Sequence, residues 1–363
     1  MRMEVLLLGA VFVAASEAEA QAELRAAPAE TMAAAVRDPA WKAPRTSWGD
    51  PSLAGVWTVD DLRSVPVSRS QQFGERESLT PEEFAERAAN DASSREEQVV
   101  EGDFLRHEFG LRTFGYTSMV IDPPDGRIPA LTDAGRALAA TRSNGTYSAG
   151  PFHDFEDFSL YDRCISRGAI GSIMPAIYGN GVNIAQSPNA VALSYEMIHD
   201  TRIIRLDGRA ADDSIPDQWM GTARGHWDGD TLVVESSNFN DRLNLTGGAP
   251  GSAELKLTER FRRVDPEMIE YRVTVEDPVT LTAPFTLRMM LTTQPGSVFL
   301  EYSCHEGNEA VRNSLSGERV YERQVAEATA RGLPAPRRAT NHNEIRDGAG
   351  VDISDPFDIN KGE

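Results

Sequence analysis

Residues 224–235 read RGHWDGDTLVVE. Two strand-like runs, Arg224-Gly225-His226-Trp227 and Asp230-Thr231-Leu232-Val233-Val234-Glu235, flank Asp228-Gly229. Asp-Gly between such runs predicts a tight hairpin turn, because both central positions then need the positive φ that these residues tolerate. The pattern repeats downstream, where Leu255–Val264 and Met268–Glu276 flank Asp265-Pro266-Glu267. There Ile269, Tyr271, Val273 and Val275 alternate with Glu270, Arg272, Thr274 and Glu276. Pro284–Thr292 and Ser297–Cys304 extend the series, and Val182–Gln186, Ala190–Ile198 and Arg202–Leu206 precede it. About nine strands between 181 and 304, mostly joined by short links, predict an antiparallel meander in which sequence neighbours lie side by side. A meander this long has to curl or close to remove its edges, so the expectation is a mainly β chain forming a barrel or a strongly bent sheet.

The flanking segments read differently. Thr80, Pro81 and Glu83 stand as N-cap, N1 and N3 of a capping box, which starts a helix over 80–98. Shorter helical patterns cover 132–142 and 308–331, and the stretch 144–181 is loop-like, with an aromatic and acidic centre. At the amino terminus, Arg2 precedes the apolar run Val5–Ala15, and Ala18-Glu19-Ala20 has the small-x-small form of a signal-peptidase site. The expected organisation is a signal peptide over 1–20, an Ala/Pro-rich strap over 21–50, one β-rich domain over 51–333 and a polar tail over 334–363. That places the protein in the periplasm or outside the cell. No later stretch has the roughly 20 apolar residues that a transmembrane helix needs.

Composition narrows the function. The 363 residues carry 36 Lys+Arg against 56 Asp+Glu, a formal charge of −20, which argues against nucleic acid as partner because phosphate recognition is built on Lys and Arg. The chain contains no P-loop, no GxGxxG fingerprint and no G-x-S-x-G elbow, so nucleotide-dependent and serine-nucleophile chemistry are not expected. The six histidines form no HxH or HxxxH pair, and no metal or other cofactor is expected. In an oxidising compartment Cys164 and Cys304, the two cysteines, are expected to pair; two buried free thiols are the alternative.

Candidate functional residues are the polar groups set among apolar strands. Glu196 shares a strand face with Ala192 and Ser194, and small neighbours leave space beside a carboxylate. His199, Asp200 and Arg202 follow: an imidazole beside carboxylates suits a general base, and an Arg suits an anion or a developing oxyanion. The competing reading is a hairpin bend with His199 in water. His305 and Glu306 come directly after Cys304, and a disulfide would hold them against the loop that carries His153. Catalytic roles are thus expected of His199, Glu196, Arg202, His305 and Glu306, and substrate contacts of Tyr195, Asp200, Arg224, His226 and His153.

Gly55-Val56-Trp57 ahead of a β-meander resembles the G-x-W signature of lipocalin and other calycin barrels, in which the Trp closes one barrel end beneath a basic residue. A broader resemblance covers most of the chain. DPSLAGVW, IDPPDGRIPALTDAGRA, DRCISRG, YEMIHDTRIIRLDGR, RGHWDGDTLVVESSNF, ERFRRVD, TVEDPVTLTAPF and CHEGN are similar to strings of a large family of secreted bacterial proteins without an established activity. This resemblance implies an exported protein with a β-rich core. The function expected is therefore binding of a small, partly apolar molecule, with cofactor-free acid–base chemistry such as hydration, elimination, isomerisation or hydrolysis. A non-catalytic periplasmic carrier or sensor and a structural envelope-interaction protein are the alternatives. A pocket where His, carboxylate and Arg converge would favour the enzyme, and a filled barrel the structural protein.

Overall fold

The structure is a computed structural model. It describes residues 41–336 except 102–109, 143–150, 177, 210–213, 246–248 and 294–297. The expected signal peptide, most of the strap and nearly all of the polar tail lie outside the described residues. The described chain divides into two compact units, one made of 41–137 and 167–302, the other of 138–166 and 303–336. The domain expected over 51–333 runs through both.

The first unit is built on one ten-stranded sheet. Its strands are β1 (Gly55–Trp57), β2 (Val120–Asp122), β3 (Val182–Ser187), β4 (Ala190–Tyr195), β5 (Thr201–Arg205), β6 (Thr222–Asp228), β7 (Thr231–Ser237), β8 (Lys256–Asp265), β9 (Met268–Glu276) and β10 (Phe285–Thr292). The order across the sheet is β1-β3-β4-β5-β6-β7-β8-β9-β10-β2. The sheet is bent into a half-barrel, the mainly β, strongly curved architecture expected of the meander. Its ends are tied together: Thr58, next after β1, and Thr292, last of β10, exchange both backbone hydrogen bonds at 2.7 and 2.8 Å. Trp57 pairs across β3 with the Tyr195 end of β4, whereas Thr292 pairs with the Met268 end of β9. Those are opposite ends of the flattened sheet, so the strands are strongly tilted where its edges meet.

Eight of the nine strands expected between 181 and 304 are present. Ser297–Cys304 is not a strand among its described residues; β2 instead pairs with the outer side of β10. One neighbouring pair departs from the antiparallel pattern: β5 and β6 run parallel through Ile204↔Ala223 and Arg205↔Arg224. Residues 206–221 are long enough to carry the chain back, which a parallel pair requires. The first hairpin is also shifted by one residue. Asp228 pairs with Thr231, so the two loop residues are Gly229 and Asp230. Only Gly229 has positive φ (61°), as a turn with Gly at its first central position demands.

Period-two alternation sends Val182, Ile184, Leu193, Tyr195, Phe261, Tyr271 and Leu287 to the buried inner face. Trp57 is buried and donates its indole N–H to the Leu53 carbonyl at 2.9 Å, while the Arg263 guanidinium sits 5.1 Å from its ring centroid. Arg263 is fixed in turn by donating to the Ser52 and Pro266 carbonyls.

The helices follow the sequence signals. α1 (Pro81–Glu101) opens with the expected capping box: the Thr80 N–H donates to Glu83 at 2.8 Å and the Glu83 N–H to Thr80 Oγ1 at 3.3 Å. Hydrogen bonding from Arg76 and from the Thr80 amide holds the Glu83 carboxyl down at about 2. In α2 (Asp133–Ala140) the Gly135 N–H donates to Thr132 Oγ1. α3 (Gly168–Gly171) is one buried turn. In the second unit α4 (Ala310–Ala330) is joined to the 152–164 segment by the Cys164–Cys304 disulfide, and Arg319 donates to the Phe152 carbonyl. Among the described residues no helix is long and apolar enough to cross a membrane.

Candidate functional site

The inner face of the sheet is filled. At its centre Arg202 of β5 reaches Glu259 of β8 with both arms, at 2.8 Å for Nη1 to Oε1 and by a second contact from Nη2 to Oε2. Each side chain is 1% exposed. Arg202 also donates to Ser236 Oγ, and Tyr271 donates its hydroxyl to Glu259 Oε1 at 2.9 Å. Burial works against the Arg202 charge, but the facing carboxylate outweighs it and raises the Arg202 pKa. Burial pushes the Tyr195 hydroxyl up to about 12, and burial with Glu259 beside it puts Tyr271 well above the ordinary tyrosine value. The arrangement is a buried pair of opposite charges, with Arg202 Nε the one guanidinium nitrogen left without a hydrogen bond among the described residues. Its charges answer each other, so it presents no unpaired cation for a ligand.

The second concentration of polar groups lies at the β4–β5 turn. Tyr195 N–H donates to the Asp200 carbonyl at 2.9 Å, which closes a four-residue loop, and Ile198 and His199 inside it have φ of 68° and 59°. Two successive left-handed non-glycine residues, one of them β-branched, are a genuine backbone outlier. Glu196 holds the turn in place. It is buried, and its carboxylate accepts the backbone N–H of Gly181 at 2.9 Å and that of Leu300. A Cβ on Gly181 would fall 2.7 Å from Glu196 Oε2, so the clamp requires glycine there. The segment it draws in brings Tyr302 against Tyr178, with ring centroids 5.9 Å apart, and Tyr178 is 36% exposed. The position of Gly179 lies between Met197 and Tyr302. The structure therefore has a braced rim that carries an exposed imidazole and a stacked tyrosine pair.

The other expected site residues are dispersed. Arg202 and Tyr195 do meet, but inside, with Glu259 rather than His199 as the charged partner. His199 is exposed on the turn, and Asp200 contributes its backbone carbonyl to closing it. Arg224 and His226 share a face as expected, and it is the outer one: Arg224 donates to the Arg209 carbonyl and His226 is exposed. His153, His305 and Glu306 are exposed residues of the second unit, where the His153 N–H donates to Asp157. Cys164 and Cys304 are bonded, and Asn308 Nδ2 donates to Cys164 Sγ at 3.3 Å. Among the described residues no three His, Cys, Asp or Glu side chains group to hold a metal ion.

The residues that the sequence reading passed over are Glu259, Ser236 and Tyr271. A signal for Glu259 was available, since it stands in the same period-two phase as Leu257 and Phe261 and so must point inward with them. Two hollows open on the first unit, and neither is lined by the inner face. One, of about 570 Å³, lies along α1 and includes Phe73, Arg76, Leu79, Arg87 and Asp91; the other, of about 440 Å³, includes Val67, Ile128 and Leu131.

No protein-family model, no curated protein and no solved structure matches the chain.

Proposed function

We propose that the protein is an exported, calycin-like binding protein that takes a small, partly apolar molecule at its rim rather than inside its barrel, and acts as a carrier or sensor. The observation that carries this reading is the Glu196 turn. Backbone strain of this kind persists only where the surroundings hold it, and it collects at ligand-contacting positions. Here a buried carboxylate holds it, and the result is an exposed His199 on the same braced segment system as Tyr178 and Tyr302. The filled inner face argues against a ligand there and by itself favours a structural role; the exposed His199 and the Tyr178–Tyr302 pair on the braced rim set the binding reading ahead of it. The lyase, isomerase or hydrolase reading stands second, because the exposed His199 has no orienting side-chain partner among the described residues.

The apolar run Val5–Ala15 after Arg2 and the disulfide support export, and Trp57 lying beneath Arg263 supports the calycin-like reading that the G-x-W resemblance implies. The test is amide-resolved NMR of the oxidised protein titrated with a set of small aromatic and sugar-ring fragments. Shifts clustering at 178–181, 196–200 and 300–302 are expected. Shifts centred on Arg202, Glu259 and Tyr271, or none above the solvent control, would sink the rim-site reading. Cell fractionation tests export independently.

A further inference from the structure

The outer face of the sheet carries a row of like charges that strand pairing by itself disfavours. The β8–β9 register sets Arg260 directly opposite Arg272, and the β9–β10 register sets Arg272 opposite Arg288. On the other side the row runs from Arg260 through Val233 to His226. Glu259, Phe261, Tyr271 and Val273 point inward, so these arginines point out. Arg260 and Arg272 are 50% and 45% exposed, and Arg262, one pleat further along β8, is exposed as well. Arg288 closes the row at its covered end, 4.2 Å from the Tyr116 ring centroid and 3.6 Å from Glu77.

Local acids only partly answer this charge. Asp228 stands 3.8 Å from Arg260, and Glu270 lies 2.9 Å from Arg272 Nε. The Arg262 side chain makes no hydrogen bond or ion pair among the described residues, although Glu270, the partner of Arg272, stands opposite it on β9. Like charges directly opposite each other on neighbouring strands destabilise a sheet. A chain with 56 acidic and 36 basic residues nevertheless concentrates arginine in one register row.

We propose that this row is a docking surface for an acidic polysaccharide, laid across the strands with its carboxylates on Arg260, Arg272 and Arg262. Adjacent strands are about 4.8 Å apart, so Arg260 and Arg272 present two exposed cations one strand apart, with Arg262 one pleat along β8, a spacing that suits a polymer with a charge on every sugar. The planar guanidinium fork matches a carboxylate with two hydrogen bonds where an ammonium offers a point charge. Single-stranded nucleic acid, the other common linear polyanion, is held by aromatic side chains on which bases stack. The outward positions of β6 to β9 carry no Phe, Tyr or Trp. The negative charge elsewhere on the protein does not prevent such contact, because at physiological salt it is screened beyond about 8 Å.

The test is titration of the full-length protein with polygalacturonate at low and at high salt, alongside Arg260→Ala/Arg272→Ala and Arg260→Lys/Arg272→Lys. We expect binding at low salt that weakens as salt rises, a loss of tenfold or more in the alanine variant, and an intermediate loss in the lysine variant. The Arg272→Ala change also strips the buried Glu270 carboxylate of its ion-pair partner, so melting temperatures are measured alongside, and the lysine variant, which keeps the charge, separates lost docking from lost fold. No binding at low salt overturns the proposal, as does equal binding by the alanine variant. Tighter binding of single-stranded DNA of matched length would also overturn it, in favour of a nucleic-acid surface.

Discussion

The Arg202 guanidinium and the Glu259 carboxylate face each other on the inner side of the sheet with both arms engaged and almost no exposure to solvent. Two strands, β6 and β7, separate β5 from β8 along the sheet, so the pair spans the curve and ties separate parts of the half-barrel together. Removing one partner leaves the other charge buried alone. Glu259→Leu is expected to lower stability by about 3–5 kcal/mol, whereas Arg202→Met with Glu259→Leu is expected to recover most of that loss. Urea unfolding of the two single variants and the double variant measures both.

Glu196 predicts a more local effect. Its carboxylate satisfies two backbone amides from separate segments, and hydrogen bonds to a charged group are worth about 1.5–3 kcal/mol. Glu196→Ala is expected to cost about 2–3 kcal/mol, with faster hydrogen exchange at the Gly181 and Leu300 amides and little change within β8 and β9. Uniformly faster exchange across the sheet would show that the clamp has no special hold on the rim.

At position 199 the direction is opposite. His199 is exposed and left-handed, so His199→Gly removes a conformational cost of about 1–2 kcal/mol against a chain-entropy loss of about 0.5–1 kcal/mol for glycine. The variant is expected to be more stable by roughly 0.5–1 kcal/mol and to lose fragment binding at the rim. A variant both less stable and fully competent to bind would contradict the strain argument and the site together.

Asp60 sets a pH dependence. It is buried beside Thr58, Asn180 and Arg63, and burial raises its pKa above 3.8 despite the hydrogen bonds from Thr58, Arg63 and Asn180 that favour its charge. Between 3.8 and the raised value the folded protein holds a proton that the unfolded chain has released. The favourable contribution of protonated Asp60 is therefore complete below 3.8 and is lost as pH rises through the folded-state value. Asp60→Asn should gain stability relative to the parent across that interval. Denaturant midpoints of both proteins over a pH series check the sign.

Much of this architecture could be read from residue patterns because it depends on alternation and local capping. Tyr271 and Val273 alternate with Arg272, so strand and face follow directly, and Thr80 with Glu83 locates a helix start to the residue. What escaped depends on contacts between distant strands. Arg202 is separated from Glu259 by 57 residues, and only the curvature of the sheet brings them together; local spacing instead suggested His199 as its neighbour. The exposed His199 follows from the same cause. Closing the loop at Tyr195 and Asp200 leaves four residues to reverse the chain, and the left-handed pair Ile198-His199 turns the imidazole away from the inner face. Ser297–Cys304 carries the apolar run Val298-Phe299-Leu300, yet the described part binds through Leu300 to Glu196 instead of joining the sheet.

The connectivity of Cys164 and Cys304 bears on how the chain matures. The two cysteines are the sequence's whole complement, and they stand 140 positions apart. Within one molecule a single bond is available, so no scrambled isomer exists to be corrected and no isomerase is needed to sort pairings. The vulnerable interval is the time during synthesis from amino to carboxyl end when Cys164 has emerged and Cys304 has not. Throughout it the only other thiols within reach of Cys164 belong to other molecules, so crowding of nascent chains, rather than misoxidation within one chain, governs the yield of correctly bonded protein.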